Sequence, residues 1–229
     1  MKKIGILGGI GPESTVEYYK RIIYGYRKLT NDANYPPLVI NSINMTEMLG
    51  LVSGGDNEKL ADFLAGEINK LKITGADYVA IASNTPHCVI NELTESSAVP
   101  IISIVDETCG YAKEKNLKKV LLTGTIFTMK KDFYQKSFNK YDIECIVPDD
   151  DDKAKIHNII FPNLEDGIIL EKDKIAFLDI CGRIIGANNV DGIVLGCTEL
   201  PLLVNQNDFT ISVLDTMEIH INSIVAKIL

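Results

Sequence analysis

The 229-residue chain is short of basic side chains, has no paired-cysteine motif and contains no long apolar run. Each shortage closes off a class. Lys and Arg number 23 against 31 Asp and Glu, a formal net charge of −8. A surface of that sign repels a phosphate backbone and argues against nucleic acid as a partner. The five cysteines form an odd set with no CxxC spacing, so reduced thiols in a cytoplasmic protein are expected. No segment approaches the ~20 apolar residues of a membrane span, and the apolar stretch in residues 1–9 is too short for a secretory leader. The three histidines, His87, His157 and His220, have no ligand spacing among them, so no metal site is expected. What is present is an ordinary globular balance, 46% hydrophobic and 24% charged. At ~150 residues per domain this length makes either one large α/β domain or two small ones.

Short apolar runs rich in Val and Ile, at 3–7, 38–43, 78–82, 120–123, 144–147, 192–195 and 211–214, read as buried parallel strands. Segments of helical period lie between them. Val16, Tyr19, Ile23 and Tyr26 form one stripe, and Leu60, Phe63, Leu64, Ile68 and Leu71 another. Ile175, Leu178, Cys181 and Ile185 form a third, and Met217, Ile221, Ile224, Val225 and Ile228 close the chain. The alternation predicts an α/β fold with parallel sheets.

An internal repeat sharpens this. Residues 3–9, KIGILGG, resemble residues 119–125, KVLLTGT, and 77–85, DYVAIASNT, resemble 191–198, DGIVLGCT. The helical segments near 57–73 and 171–187 keep the same spacing. Two matched halves predict two Rossmann-like domains related by pseudosymmetry. We expect an N-terminal domain of 1–99 plus 210–229 and a C-terminal domain of 100–209. Ligands bind at the carboxyl ends of such strands, so the active site is expected in the cleft between the domains. Ser83 and Cys197 are counterparts at those ends.

Cys197 is the first candidate for chemistry. It follows Gly196 and precedes Thr198 and Glu199, at an expected helix start whose dipole would favour a thiolate. A thiolate can act as base or nucleophile. A cysteine at a strand end is otherwise a small buried hydrophobe; the symmetry with Ser83 favours function. Cys88, Cys109, Cys145 and Cys181 fit packing roles.

These residues carry a family resemblance. Residues 6–15 (ILGGIGPEST), 83–87 (SNTPH), 124–128 (GTIFT) and 196–199 (GCTE) resemble the aspartate/glutamate racemase family, whose members work without pyridoxal phosphate. The resemblance implies two pseudosymmetric α/β domains with the substrate between them, no cofactor, and a homodimer. It also implies two cysteines flanking the substrate α-carbon, one removing the proton and the other returning one to the opposite face. Here Ser83 stands at the first of those positions. A serine hydroxyl is a far weaker base than a thiol. Three readings follow. Cys197 abstracts from one enantiomer while Ser83 or a water donates on the other face, making the reaction asymmetric; this is the reading we prefer. Alternatively, Cys197 serves a single-cysteine decarboxylation or isomerisation of a small carboxylate. The third reading is a small-molecule binder that has lost turnover.

Ile10, Asn84, Thr85, Thr125, Thr128 and Thr198 are the expected substrate-binding residues, the polar ones through hydroxyls and N–H groups at helix starts. The same side chains could simply cap helices. Glu199 and His87 are candidate supporting residues. The resemblance implies an Arg or Lys for an acidic substrate side chain, but 41–45 and 163–167 supply neither; Lys155 is the nearest basic candidate, with a solvated helix as its alternative. Neutral or larger amino acids therefore stay open as substrates. The turn Gly9-Ile-Gly-Pro-Glu-Ser14 is a poor match to the dinucleotide fingerprint and is expected to form a backbone anion cradle. The acidic run 149–152 reads as a solvated helix start.

Overall fold

The computed structural model describes residues 1–229, and the chain divides into two units, Met1–Ile104 with His220–Leu229, and Val105–Ile219. The first unit carries strands β1 (Ile4–Gly8), β2 (Leu38–Ser42), β3 (Tyr78–Ile81) and β4 (Ile101–Ile102), interleaved with α1 (Pro12–Thr30), α2 (Met45–Gly54), α3 (Asn57–Ile73) and α4 (Ile90–Ser96). After α5 (Ile104–Glu114), the second unit carries β5 (Lys119–Gly124), β6 (Glu144–Ile146), β7 (Gly192–Gly196) and β8 (Ser212–Asp215). Its helices are α6 (Ile126–Lys130), α7 (Phe133–Asn139), α8 (Asp150–Ile159), α9 (Glu171–Asn188) and α10 (Leu200–Leu203), and α11 (Thr216–Ile228) ends the chain.

Both sheets are four-stranded and parallel, ordered β2-β1-β3-β4 and β6-β5-β7-β8. The repeat extends to register: Ile4 lies opposite Tyr78 in the first sheet, and Val120 opposite Gly192 in the second. The two aspartates of the repeat have one job. Asp77 accepts the N–H of Lys3 at 2.7 Å, and Asp191 accepts those of Lys118 and Lys119 at 2.8 and 3.0 Å. Each carboxylate thus holds the start of a central strand. β1 is buried along its whole length and β5 along all but its first residue, which is why they read as continuous apolar runs rather than alternating ones.

Three sequence expectations are corrected. β4, only two residues long, pairs with β3, so 100–104 belongs to the first unit. β8 pairs with β7, so 210–219 lies in the second unit and the chain returns to the first only from His220. Two helical stripes are also rotated. In α1 the buried face is Ser14, Tyr18, Ile22 and Tyr26, while Val16 and Tyr19 are about half exposed (46% and 47%). In α9 Phe177, Ile180, Cys181 and Ile184 are buried and Ile175 is exposed. Both helices have enough apolar residues on two faces for either stripe to satisfy a 3.6-residue period. No helix is long and apolar enough to cross a membrane.

Candidate active site

Cys197 directly follows β7 and belongs to the apolar core of the second unit, with Leu121, Ile156, Ile160, Leu164, Leu195 and Leu200 among its companions. The strand is locked just before it. Thr123 donates its hydroxyl to the Val194 carbonyl at 2.9 Å, and Thr216 donates to that of Leu195 at 2.8 Å. Beside it, β5 and β7 converge where both are glycine. A Cβ on Gly196 would lie 2.6 Å from the Thr123 carbonyl oxygen, and one on Gly124 2.7 Å from that of Gly196. The same approach brings Thr128 against Gly196, 3.2 Å from the position of that added Cβ. Thr125 caps α6 by accepting the Thr128 N–H, and their hydroxyls are 3.3 Å apart. Thr125 thus has the capping role, beside the end of β7.

Around Cys197 the second unit assembles a small acidic cluster. The thiol donates to Glu199 Oε2 at 2.9 Å, and the Thr198 hydroxyl donates to the same oxygen at 3.0 Å. Cys197, Thr198 and Glu199 are all at least nine-tenths buried. Glu165 completes the group: one donor atom from each of Glu165, Cys197 and Glu199 lies within 4.8 Å of the others. Glu165 follows the π-type turn Ile160–Leu164, and its own N–H donates to the Ile160 carbonyl at 3.0 Å. Ile160 and Leu164 sit in the core beside Leu200, so their burial draws Glu165 inward. Burial first, then the charges of Glu199 and Asp166, raise its carboxyl to about 8. Burial, then Glu199 and Glu165, push the Cys197 thiol well above its usual range.

This reverses one expectation. The helix after Cys197 is a single turn, α10, too short for a sizeable dipole, and the surroundings favour the thiol over the thiolate. Glu199, a candidate supporting residue, accepts the Cys197 and Thr198 hydrogens. The three acidic groups could converge on a cation, but the thiol proton already occupies the space between sulfur and Glu199, which is a proton-sharing arrangement.

Ser83, Asn84, Thr85 and His87 lie together after β3 in the first unit, all buried. Asn84 stands before the short turn Thr85–Val89 without capping it by its side chain. His87 is fully enclosed with no well-formed partner for either ring nitrogen. Burial lowers it to about 4, with the Ser83 and Asn84 backbone only partly opposing. It is therefore held as a neutral imidazole. Ile10 is buried at 5% exposure. The expected anion cradle beside it is internally engaged: the Gly9 N–H donates to Thr15 Oγ1, which donates to the Gly11 carbonyl, both at 2.9 Å.

Lys155 is exposed and paired with Asp152 at 3.5 Å rather than with the Cys197 group. Asp152, expected to be solvated, is 2% exposed and receives Arg183 at 2.6 Å. Its neighbour Asp149 does begin the helix, accepting the Asp152 N–H at 2.9 Å. Sequence reasoning missed Glu165. Acid, acid, glycine at 165–167 has the composition of an exposed turn, and the only hint was the buried Leu164 beside it.

Known proteins share this fold. A solved structure of a putative Asp/Glu racemase from Yersinia pestis superposes with a TM-score of 0.91 at 32% identity, covering 100% of this chain and 99% of that one. An aspartate racemase homologue from Pyrococcus horikoshii matches at 0.86 and 36% identity, over 100% and 99%. The broad specificity amino-acid racemase RacX of Bacillus subtilis (strain 168) is 34% identical over 136 residues, 58% of this chain and 59% of that protein. The Asp/Glu/hydantoin racemase family model matches residues 7–224. With the family model spanning nearly the full length and the fold shared end to end, the chain belongs to the Asp/Glu/hydantoin racemase family.

Proposed function

We propose that the protein is a cofactor-independent amino-acid racemase in which Cys197 is the principal base. The observation that carries this is the 2.9 Å hydrogen bond from the buried Cys197 thiol to Glu199. A buried thiol is a poor base unless its proton has somewhere to go, and Glu199 is a carboxylate in direct reach. The S–H bond breaks as an O–H bond forms on Glu199, with no change in the cluster's charge. The thiolate then takes the substrate's Cα proton. A proton returns to the opposite face from Ser83 or from a water it holds. In the reverse direction a hydroxyl would have to abstract, and its intrinsic pKa makes that slow. Cα exchange of the enantiomer facing Cys197, with the proton removed and returned on that side, is therefore much faster than exchange of the other from the Ser83 side, while net racemisation, with an equilibrium constant of one, keeps equal kcat/KM in both directions.

The ionisable groups acting on Cys197 are the acids Glu199 and Glu165. An acidic side chain held near them would be repelled, so the substrate panel includes neutral amino acids beside aspartate and glutamate. The test is deuterium incorporation at Cα in heavy water, run separately on L- and D-substrates. Fast exchange of one enantiomer is expected, with collapse in Cys197→Ala while ligand-induced thermal stabilisation persists. Equal exchange of both overturns the asymmetry. Stabilisation by an amino acid with exchange of neither supports a binder instead.

A further inference from the structure

Glu165 has no place in the reaction as described, yet it is the third member of the cluster around Cys197. We infer that Glu165 is a positioning residue for that reaction: its carboxyl competes with the Cys197 thiolate for the single negative charge the cluster can hold. The inference rests on the racemase reading for its functional meaning, but not for its test.

Glu165, Cys197 and Glu199 approach within 4.8 Å of one another in a buried setting. Like charges at that separation in a poorly solvated site oppose each other strongly. The group therefore tolerates one negative charge and resists a second. While Glu165 keeps its proton, that charge can move between Glu199 and Cys197 as the proton crosses their hydrogen bond. Once Glu165 ionises, its charge opposes both. The charged groups that bear on Glu165 are Glu199 and Asp166, with Cys197 in the same cluster. From α8, His157 stacks on Phe161 at 5.9 Å, Lys153 pairs with Asp150, and Lys155 shares Asp152 with Arg183 of α9. The cations of α8 and Arg183 are thus already paired with carboxylates of α8.

The test measures thiolate directly. Alkylation of Cys197 by iodoacetamide is followed against pH by mapping its peptide, and the ultraviolet thiolate signal is taken as the difference from the matching Cys197→Ala protein. In Glu165→Gln, which keeps the shape and removes the charge, ionisation should move at least one pH unit lower, about tenfold more thiolate at a fixed pH below the midpoint. Glu165→Asp, which keeps the charge, should retain the parent profile. An unchanged profile in Glu165→Gln overturns the inference, and equal shifts in Gln and Asp variants assign the effect to packing, which also overturns it. If the profiles shift as expected but no amino acid shows Cα exchange, the inference stands and the racemase reading fails.

Discussion

A thiol enclosed with two carboxyl groups ionises only by handing its proton to one of them, so the residue next to Cys197 matters as much as the sulfur. Glu199→Gln keeps a hydrogen-bond acceptor but cannot hold the proton. It should lower Cα exchange by about 10²–10⁴-fold with little change in melting temperature, measured by heavy-water exchange beside thermal unfolding. A loss below tenfold would show that solvent removes the proton instead. Ser83 offers the complementary change. Ser83→Cys restores a thiol on the second face, and the ratio of L- to D-exchange should move toward one. A ratio that stays at the parent value would remove Ser83 from the reaction.

At the scale of elements, glycine separates positions that hold the site from positions that merely tolerate it. Gly196→Ala would drive a Cβ to 2.6 Å from the Thr123 carbonyl and 2.9 Å from Leu122. Backbone cannot yield as a side-chain tip does, so we expect about 1–3 kcal/mol of lost stability and a displaced Cys197. Gly182 on α9 meets nothing within 4 Å. There Gly182→Ala should add about 0.5–1 kcal/mol by improving helix propensity. Denaturant titrations of the pair check both signs. The contrast also explains what the sequence could reveal. Strands β1, β3, β5 and β7 were legible because burial of all but the first residue of β3 and of β5 makes them nearly unbroken apolar runs, and their repeat paired Ser83 with Cys197. β4 was not legible, because two residues carry no period. The face of α1 was misjudged because Tyr19 and Ile23 satisfy the same spacing as Tyr18 and Ile22. Glu165 was hidden for a different reason: its burial comes from Ile160 and Leu164 packing beside Leu200, a contact between segments far apart in sequence. Local composition reports only the acid and the glycine.

For the whole molecule, the buried titratable groups set opposing pH trends in stability. His87 and His220 are fully buried and held neutral, lowered to about 4 and about 3, chiefly by burial. His220 lies between the Tyr18 hydroxyl and the Ile102 carbonyl, each at 2.8 Å. An unfolded chain protonates both near 6.5 while the folded chain does not. Their stabilisation is therefore complete above about 6.5 and is lost as pH falls toward those lowered values. Glu165 acts in the other direction. Its carboxyl is raised to about 8, so its contribution is complete below about 4.5 and is lost as pH rises to about 8. Cys145 and Cys181, pushed up to about 12 by burial, extend the alkaline loss above their ordinary range. Below 6.5 two histidine protons outweigh one from Glu165, so stability falls toward acid. Between 6.5 and 8 Glu165 alone titrates among these groups, so stability declines there with a slope of about one proton. The folding free energy from chemical denaturation should thus peak near pH 6.5. Glu165→Gln should flatten the stretch from 6.5 to 8 and steepen the acid limb above about 4.5, where its proton no longer offsets one of the histidine protons, while His87→Leu should make the acid limb shallower and leave the alkaline side unchanged. A stability that climbs steadily through pH 8 would mean that Glu165 is ionised in the folded protein, and would remove the basis for one shared charge at Cys197.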